Sequence, residues 1–266
     1  MPTKIKFEQK GGVAHVTLSY PKRFNAMSRA MWRDLRSVFE RIQCSTEVRC
    51  VLISGEGSHF CAGGDISDQE ASLREFHENE VWGALRIMLA CDVPMVAQIV
   101  GNCMGAGVEI ASCCDIRLAA ESAQFGAPIA KLGFPMAPRE AALVAREVGL
   151  TTARQMLLEA AVFSAPDMLQ RGFLSRVVAD VDVPTLAHAT VQRICQLAPQ
   201  AARLNKQTLR AINPAPALID TAPIATQSIL TQQRLSSLLS TAYEYADSAE
   251  QREGISAFLD KRAPRF

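Results

Sequence analysis

The chain lacks an excess of charge of either sign: 28 lysines and arginines face 27 aspartates and glutamates, a net charge of +1. No global field therefore draws it to nucleic acid or to an anionic membrane, and an anionic ligand must be held by local groups. It also lacks any uninterrupted apolar run near the roughly 18 residues that a membrane span requires. Its opening, Met1-Pro2-Thr3-Lys4-Ile5-Lys6, has neither the apolar core nor the small-residue cleavage site of a secretory signal. A soluble, cytoplasmic protein is expected from these absences. Paired-cysteine motifs are missing as well. Cysteines 44, 50, 61, 91, 103, 113, 114 and 195 are scattered through apolar segments, and histidines 15, 59, 77 and 188 are equally dispersed. That pattern speaks for small buried hydrophobes in a reducing compartment and against a metal site.

What is present is apolar material, 48% of 266 residues, enough for a real core. Alternation over the first 20 residues, with Lys10-Gly11-Gly12 as the turn, predicts a hairpin. Ser28 is placed to cap a helix whose stripe is Met31, Leu35, Val38, Phe39 and Ile42. Residues 48–54 and 94–100 read as buried strands. Between them, polar, Glu-rich residues 67–80 lead into a helix ending near Ala90. Strand, helix and strand in repetition predict α/β layering with parallel pairing. After Pro199 the pattern turns helical, over residues 201–211, 224–246 and 250–261, with Pro214, Pro216 and Pro223 separating the first two. We therefore divide the chain into a core, residues 1–199, and a helical region, residues 200–266.

Two glycine-rich turns each follow a buried strand. The first is Ser58-His59-Phe60-Cys61-Ala62-Gly63-Gly64-Asp65, and the second is Gly101-Asn102-Cys103-Met104-Gly105-Ala106-Gly107-Val108-Glu109. A glycine turn that opens a helix leaves backbone N–H groups unpaired at the positive end of the helix dipole, where an anionic oxygen is stabilised. Ala106 is the expected donor. Glu109, three positions on, shares roughly the same helix face. It lies within an otherwise buried stretch, where an ionisable carboxyl is costly unless it is paired or useful. Such turns also serve tight helix–strand packing alone, and a buried glutamate also finds purely structural partners, so both alternatives stand on this pattern. The Gly101-x-x-x-Gly105-x-Gly107 spacing is not that of a dinucleotide fingerprint.

Phe60-Cys61-Ala62-Gly63-Gly64-Asp65 resembles the Phe-x-Ala-Gly-x-Asp pattern of the crotonase (enoyl-CoA hydratase/isomerase) superfamily. Residues 101–115 resemble its Gly-x-x-x-Gly-Gly-Gly-x-Glu stretch ending in Cys-Asp-Ile. The likeness continues in order through residues 21–27, 124–133, 165–178 and 253–262. It implies an α/β fold with a ββα spiral core and a C-terminal helical region that forms homotrimers or dimers of trimers. It also implies a coenzyme A thioester as substrate, with no permanently bound cofactor. Carried over by position, the amides of Ala62 and Ala106 form an oxyanion hole for the thioester enolate and Glu109 moves the proton. Ala106 stands where the family usually has glycine. Lys22, Arg23 and Ala26 fall at the coenzyme, with Lys261 reaching it from the terminal helix. Gly63, Gly64, Asp65 and Ile66 continue the substrate contacts of the first turn.

The departure is at Ile129, which occupies the position of the second glutamate of the family's hydratases. Isoleucine neither transfers a proton nor orients water, so the usual two-glutamate hydration is in doubt while the enolate-stabilising half remains. Isomerisation, decarboxylation, thioester hydrolysis and a non-catalytic acyl-CoA-binding scaffold stay open. Glu140 is a substitute acid, with pairing to Arg139 or to its helix N-terminus as the alternative. Asp65 is expected to fix its own turn, and the Glu-rich stretch to be a solvated helix face. Phe76 and Trp82 are candidate acyl contacts.

Overall fold

A computed structural model describes residues 4–65, 73–133, 135–213 and 248–266. Strands β1 (Lys4–Lys10) and β2 (Val13–Ser19) pair antiparallel, with Gly11 at a φ of 56° turning the hairpin, as expected. From β2 the sheet continues in parallel through β3 (Cys50–Gly55), β4 (Met95–Ile99), β6 (Ile116–Ala120) and β9 (Arg176–Val178). Parallel strands need covering on both faces. One face packs on α1 (Arg29–Cys44), α3 (Trp82–Ala90) and α4 (Ala106–Ser112), and the other on α8 (Val183–Cys195) through Ala187 and Val191. A second sheet joins β5 (Asn102–Met104), β7 (Gln124–Gly126) and β8 (Val162–Ser164).

Helix α1 forms where its pattern says it should. Ser28 Oγ accepts from the Met31 amide at 3.3 Å, and Met31, Trp32, Leu35, Val38, Phe39 and Ile42 are buried on one face. Each such side chain contributes about 1.5–3 kcal/mol of burial. Residues 73–90 are helical throughout, as α2 (Leu73–Glu75), a π-helical stretch Phe76–Val81, and α3. Further on come α5 (Pro138–Val148), α6 (Leu150–Leu158) and α7 (Ala165–Gln170). Six of the eight cysteines are buried as expected, while Cys44 is exposed and Cys195 half-buried.

Beyond residue 199, α9 (Pro199–Ile212) is fastened to loops of the core. Arg203 donates to the Ser45 and Val48 carbonyls, Lys206 donates to the Val93 carbonyl and pairs with Asp115, and Arg210 pairs with Asp92. The terminal helix α10 is Ala249–Leu259. The helix expected over residues 224–246, the prolines ahead of it, and Ile66 lie outside the described residues. No helix among the described residues is long and apolar enough to cross a membrane.

The two glycine turns meet edge to edge. Phe60 donates to the Val100 carbonyl at 2.8 Å, Cys61 to Asn102 at 2.9 Å, and Met104 back to Cys61 at 2.8 Å. The fit depends on Gly107, where an added Cβ would lie 2.7 Å from the Cys61 carbonyl oxygen. Gly107→Ala is expected to destabilise by about 1–3 kcal/mol through overpacking, lowering the melting temperature by about 2–4 °C per kcal/mol in a chain of this size. Gly64→Ala, whose Cβ meets nothing within 4 Å, is expected to melt near wild type. Thermal melts of the two variants check the contrast.

Candidate active site

The first turn is held on both sides. Met27 donates to the Gly63 carbonyl at 2.8 Å, and Asp65 donates its amide to the Met27 carbonyl at 2.9 Å. The turn at residues 20–27 that receives it is pinned by buried Asn25, whose side chain accepts from the Tyr20 amide and donates to the Glu56 and His59 carbonyls. Phe24 and Asn25 take positive φ values of 50° and 60° in that turn. Asp65 thus fixes its turn through its backbone at least.

One sequence assignment is corrected here. The Ala62 amide donates to the Phe24 carbonyl at 3.0 Å, so it is already bonded inside the protein and is not an outward donor. Gly64, two residues on, differs. Its parallel bridge to Met27 engages the flanking Gly63 carbonyl and Asp65 amide, and among the described residues no acceptor takes the Gly64 N–H. The sequence signal for this was present: Gly64 stands in the same turn, but hydrogen-bond accounting needs coordinates.

The second turn behaves as its glycines suggest. Gly105, at a φ of 46°, donates to the Gly126 carbonyl, and the first intrahelical bond of α4 runs from Glu109 to the Gly105 carbonyl at 3.1 Å. The amides of Ala106, Gly107 and Val108 precede that bond and have no intrahelical partner. The two turns touch at their tips, where a Cβ on Gly105 would lie 3.6 Å from the Gly63 Cα.

Glu109 is 4% exposed, within a helix whose every residue is buried. Burial, and then the charge of Glu140, push its carboxyl well above the ordinary range. Among the described residues none donates a hydrogen bond to that carboxyl. Glu140, in the first turn of α5, is 1% exposed and is likewise pushed up by burial, opposed by a hydrogen bond from His77. His77 Nδ1 lies 2.9 Å from both Glu140 carboxyl oxygens. Of the two structural partners expected for Glu140, Arg139 instead places its guanidinium over the Trp82 ring, at 5.9 Å. His77 was invisible as a partner because it lies 63 residues away in sequence.

The remaining predicted residues spread around this center. Lys22 and Arg23 sit exposed in a 3-10 turn, Pro21–Arg23, and Ala26 is buried beside it. Lys261 follows α10 at a φ of 53° and is exposed. Ile129 is half-buried, opens the 3-10 turn Ile129–Leu132 and packs on the main core. Phe76 is half-buried under the Arg29 guanidinium at 5.0 Å, and Trp82 is buried. The Glu-rich stretch is not a uniformly solvated face: the Glu80 side chain is 13% exposed and pairs with Arg29 at 3.0 Å and Arg33 at 2.9 Å. Among the described residues no group of three or more metal-binding side chains assembles.

The chain resembles known proteins over nearly its whole length. The family model described as enoyl-CoA hydratase/isomerase matches residues 8–266. A 2,3-dehydroadipyl-CoA hydratase of Escherichia coli is 31% identical over 256 residues, covering 94% of this chain and 93% of its own. A probable enoyl-CoA hydratase of Mycobacterium tuberculosis is 29% identical, covering 98% and 96%. A crystal structure of an enoyl-CoA hydratase/carnithine racemase from Magnetospirillum magneticum superposes with a TM-score of 0.87 at 33% identity, covering 100% and 96%.

The elevated Glu109 carboxyl has a consequence for stability. A carboxyl raised on folding holds its proton more tightly in the folded chain. Its stabilising contribution is therefore complete below the unfolded value, about 4.3, and is lost as pH rises through the folded one. Glu109→Gln keeps the neutral shape, so it is expected to melt with wild type near the unfolded value and increasingly above it toward pH 8. Melting curves across that range check the sign; a variant less stable than wild type at pH 8 contradicts it.

Proposed function

The chain belongs to the enoyl-CoA hydratase/isomerase family, and on that premise we propose that it processes an acyl-CoA thioester through an enolate. The observation that carries this reading is the pair of interlocked glycine turns with buried Glu109 three residues after Ala106. In it, the amides of Gly64 and Ala106, rather than those of Ala62 and Ala106, receive the thioester oxygen. Donors set for the enolate oxygen favour the transition state over the ground state, at about 3–4 kcal/mol each.

Glu109 removes or returns a proton at the carbon next to the thioester carbonyl, the electron pair moving onto the oxygen held by the two amides. Burial supports that role, because a carboxyl raised toward neutrality is a stronger proton acceptor than an exposed one. Lys22, Arg23 and Ala26 contact the coenzyme, and Lys261 reaches it from the end of α10. Gly63, Asp65, Ile66 and Ile129 complete the acyl contacts. The thioester is substrate, and no permanently bound cofactor is invoked. We assign the protein to the cytoplasm, as a homotrimer or dimer of trimers assembled through residues 200–266, without nucleic-acid or membrane partners. Ile129 favours a second reading, a homologue that binds acyl-CoA without turnover.

Incubation with 2-enoyl-, 3-enoyl- and malonyl-type CoA esters, with products identified by mass, distinguishes lyase, isomerase, decarboxylase and hydrolase. Glu109→Gln is expected to abolish proton-transfer turnover while CoA binding survives; an unchanged rate moves the base elsewhere. Ala106→Pro removes one donor at the first helical position, where proline is tolerated. It is expected to lower kcat about 10²–10³-fold with little change in melting. A wild type that binds thioesters but turns none over selects the scaffold reading.

A further inference from the structure

We propose that Glu140, seated by His77, is the second proton-transfer group of this site and lets it add water across a 2-enoyl thioester although position 129 carries isoleucine. The inference rests on the enolate reading above and names the group that the reading leaves unassigned.

Three observations meet at one place. Two carboxyls, from the packed helices α4 and α5, are almost wholly removed from solvent, and the charge of Glu140 is felt at Glu109. Two buried carboxylates so placed cannot both stay ionised, so the pair carries one proton between them. Glu140 has a donor and Glu109 has none among the described residues, so the charge settles on Glu140 and the proton on Glu109. That is an acid beside a base. His77 is the third observation: it donates through Nδ1 to both oxygens of Glu140, and its ring is 21% exposed, on a π-helical turn of the kind that recurs at functional sites. Glu140 so held is fixed in orientation, whereas a purely structural carboxyl would gain nothing from a like charge as its neighbour.

The balance is simple. The oxygen of water bonds to the β-carbon and its proton passes to the Glu140 carboxylate. The double-bond pair moves toward the α-carbon, which takes the Glu109 proton. One H and one OH have been added, and the pair still carries one proton, now on Glu140. Elimination runs the same steps backwards. Among the described residues the titratable groups facing this pair are each other, His77 beside Glu140, and the buried Cys61 and Cys113 thiols near Glu109. On α5, Arg139 stacks over Trp82, and on the His77 helix Glu80 is engaged by Arg29 and Arg33.

The test pairs two readouts on the full-length protein. Hydration of straight-chain 2-enoyl-CoA esters from four to sixteen carbons is followed by loss of the conjugated thioester absorbance, and exchange of the α-protons of butyryl-CoA in D₂O is followed by mass. Glu140→Gln is expected to lower hydration about 10²-fold or more while α-exchange stays within a few-fold. His77→Phe removes the donor, so Glu140 ionises at higher pH and the acid limb of the hydration profile moves upward; His77→Asn, which still donates, restores part of the shift. Full hydration by Glu140→Gln, or no hydration by wild type anywhere in the series, overturns the proposal. Should Glu140→Gln not fold, an unmoved acid limb in His77→Phe overturns it instead. Exchange unaffected by Glu109→Gln would defeat the enolate reading itself, a separate outcome.

Discussion

The structure turns on the contact between two glycine-bearing backbone segments. The Cys61 carbonyl takes the Met104 amide at 2.8 Å while α4 starts against it through Gly107, leaving no room for a side chain. This contact lets a loop after β3 and a helix after β4 present main-chain groups to the same region. Both segments follow parallel strands; the first is anchored again by the turn at residues 20–27 through Asn25 and Met27, and the second by the Gly105 amide on the Gly126 carbonyl. A main-chain donor set in a doubly anchored segment needs little reorganisation when charge appears beside it, which makes such donors effective.

The electrostatics of the site run against folding. Glu109 and Glu140 lie in a low-dielectric region; burial raises the proton affinity of both, and the charge of Glu140 raises that of Glu109 further. A core made only for stability would carry apolar residues here, because an uncompensated buried carboxyl costs several kcal/mol. The hydrogen bond from His77 offsets part of this cost on one side only, and the asymmetry divides the two carboxyls into unlike roles. Strain of this kind, beside two main-chain donor turns, points to chemistry more than to architecture.

Much of the fold was legible because its signals are local. The β1–β2 hairpin follows from alternation and a glycine at positive φ, α1 from a serine cap and one apolar stripe, and the parallel sheet from strands buried on both faces. Ala106 and Glu109 were legible for the same reason, since their relation is set by three residues of helix. Ala62 was misassigned because a motif specifies which residues form a turn but not which of its amides the neighbouring turn will bond. The expected solvated face at residues 70–80 failed at Glu80 because its partners, Arg29 and Arg33, come from α1, far away in the chain.

The order of residues alone established the α/β class, the two glycine turns, the helix that carries Glu109 and the isoleucine at 129, all of which depend on neighbours within a strand, a turn or a helical repeat. Only the folded chain decided that Ala62 is bonded to Phe24, that the Gly64 amide is left over among the described residues, and that Glu140 lies near Glu109 and is held by His77. The first two depend on how the turn at residues 20–27 seats the first glycine turn, and the last on how α5 packs on α4 and the π-helical turn reaches α5. Packing between segments dozens of residues apart sets that arrangement, and no periodicity in the sequence encodes it.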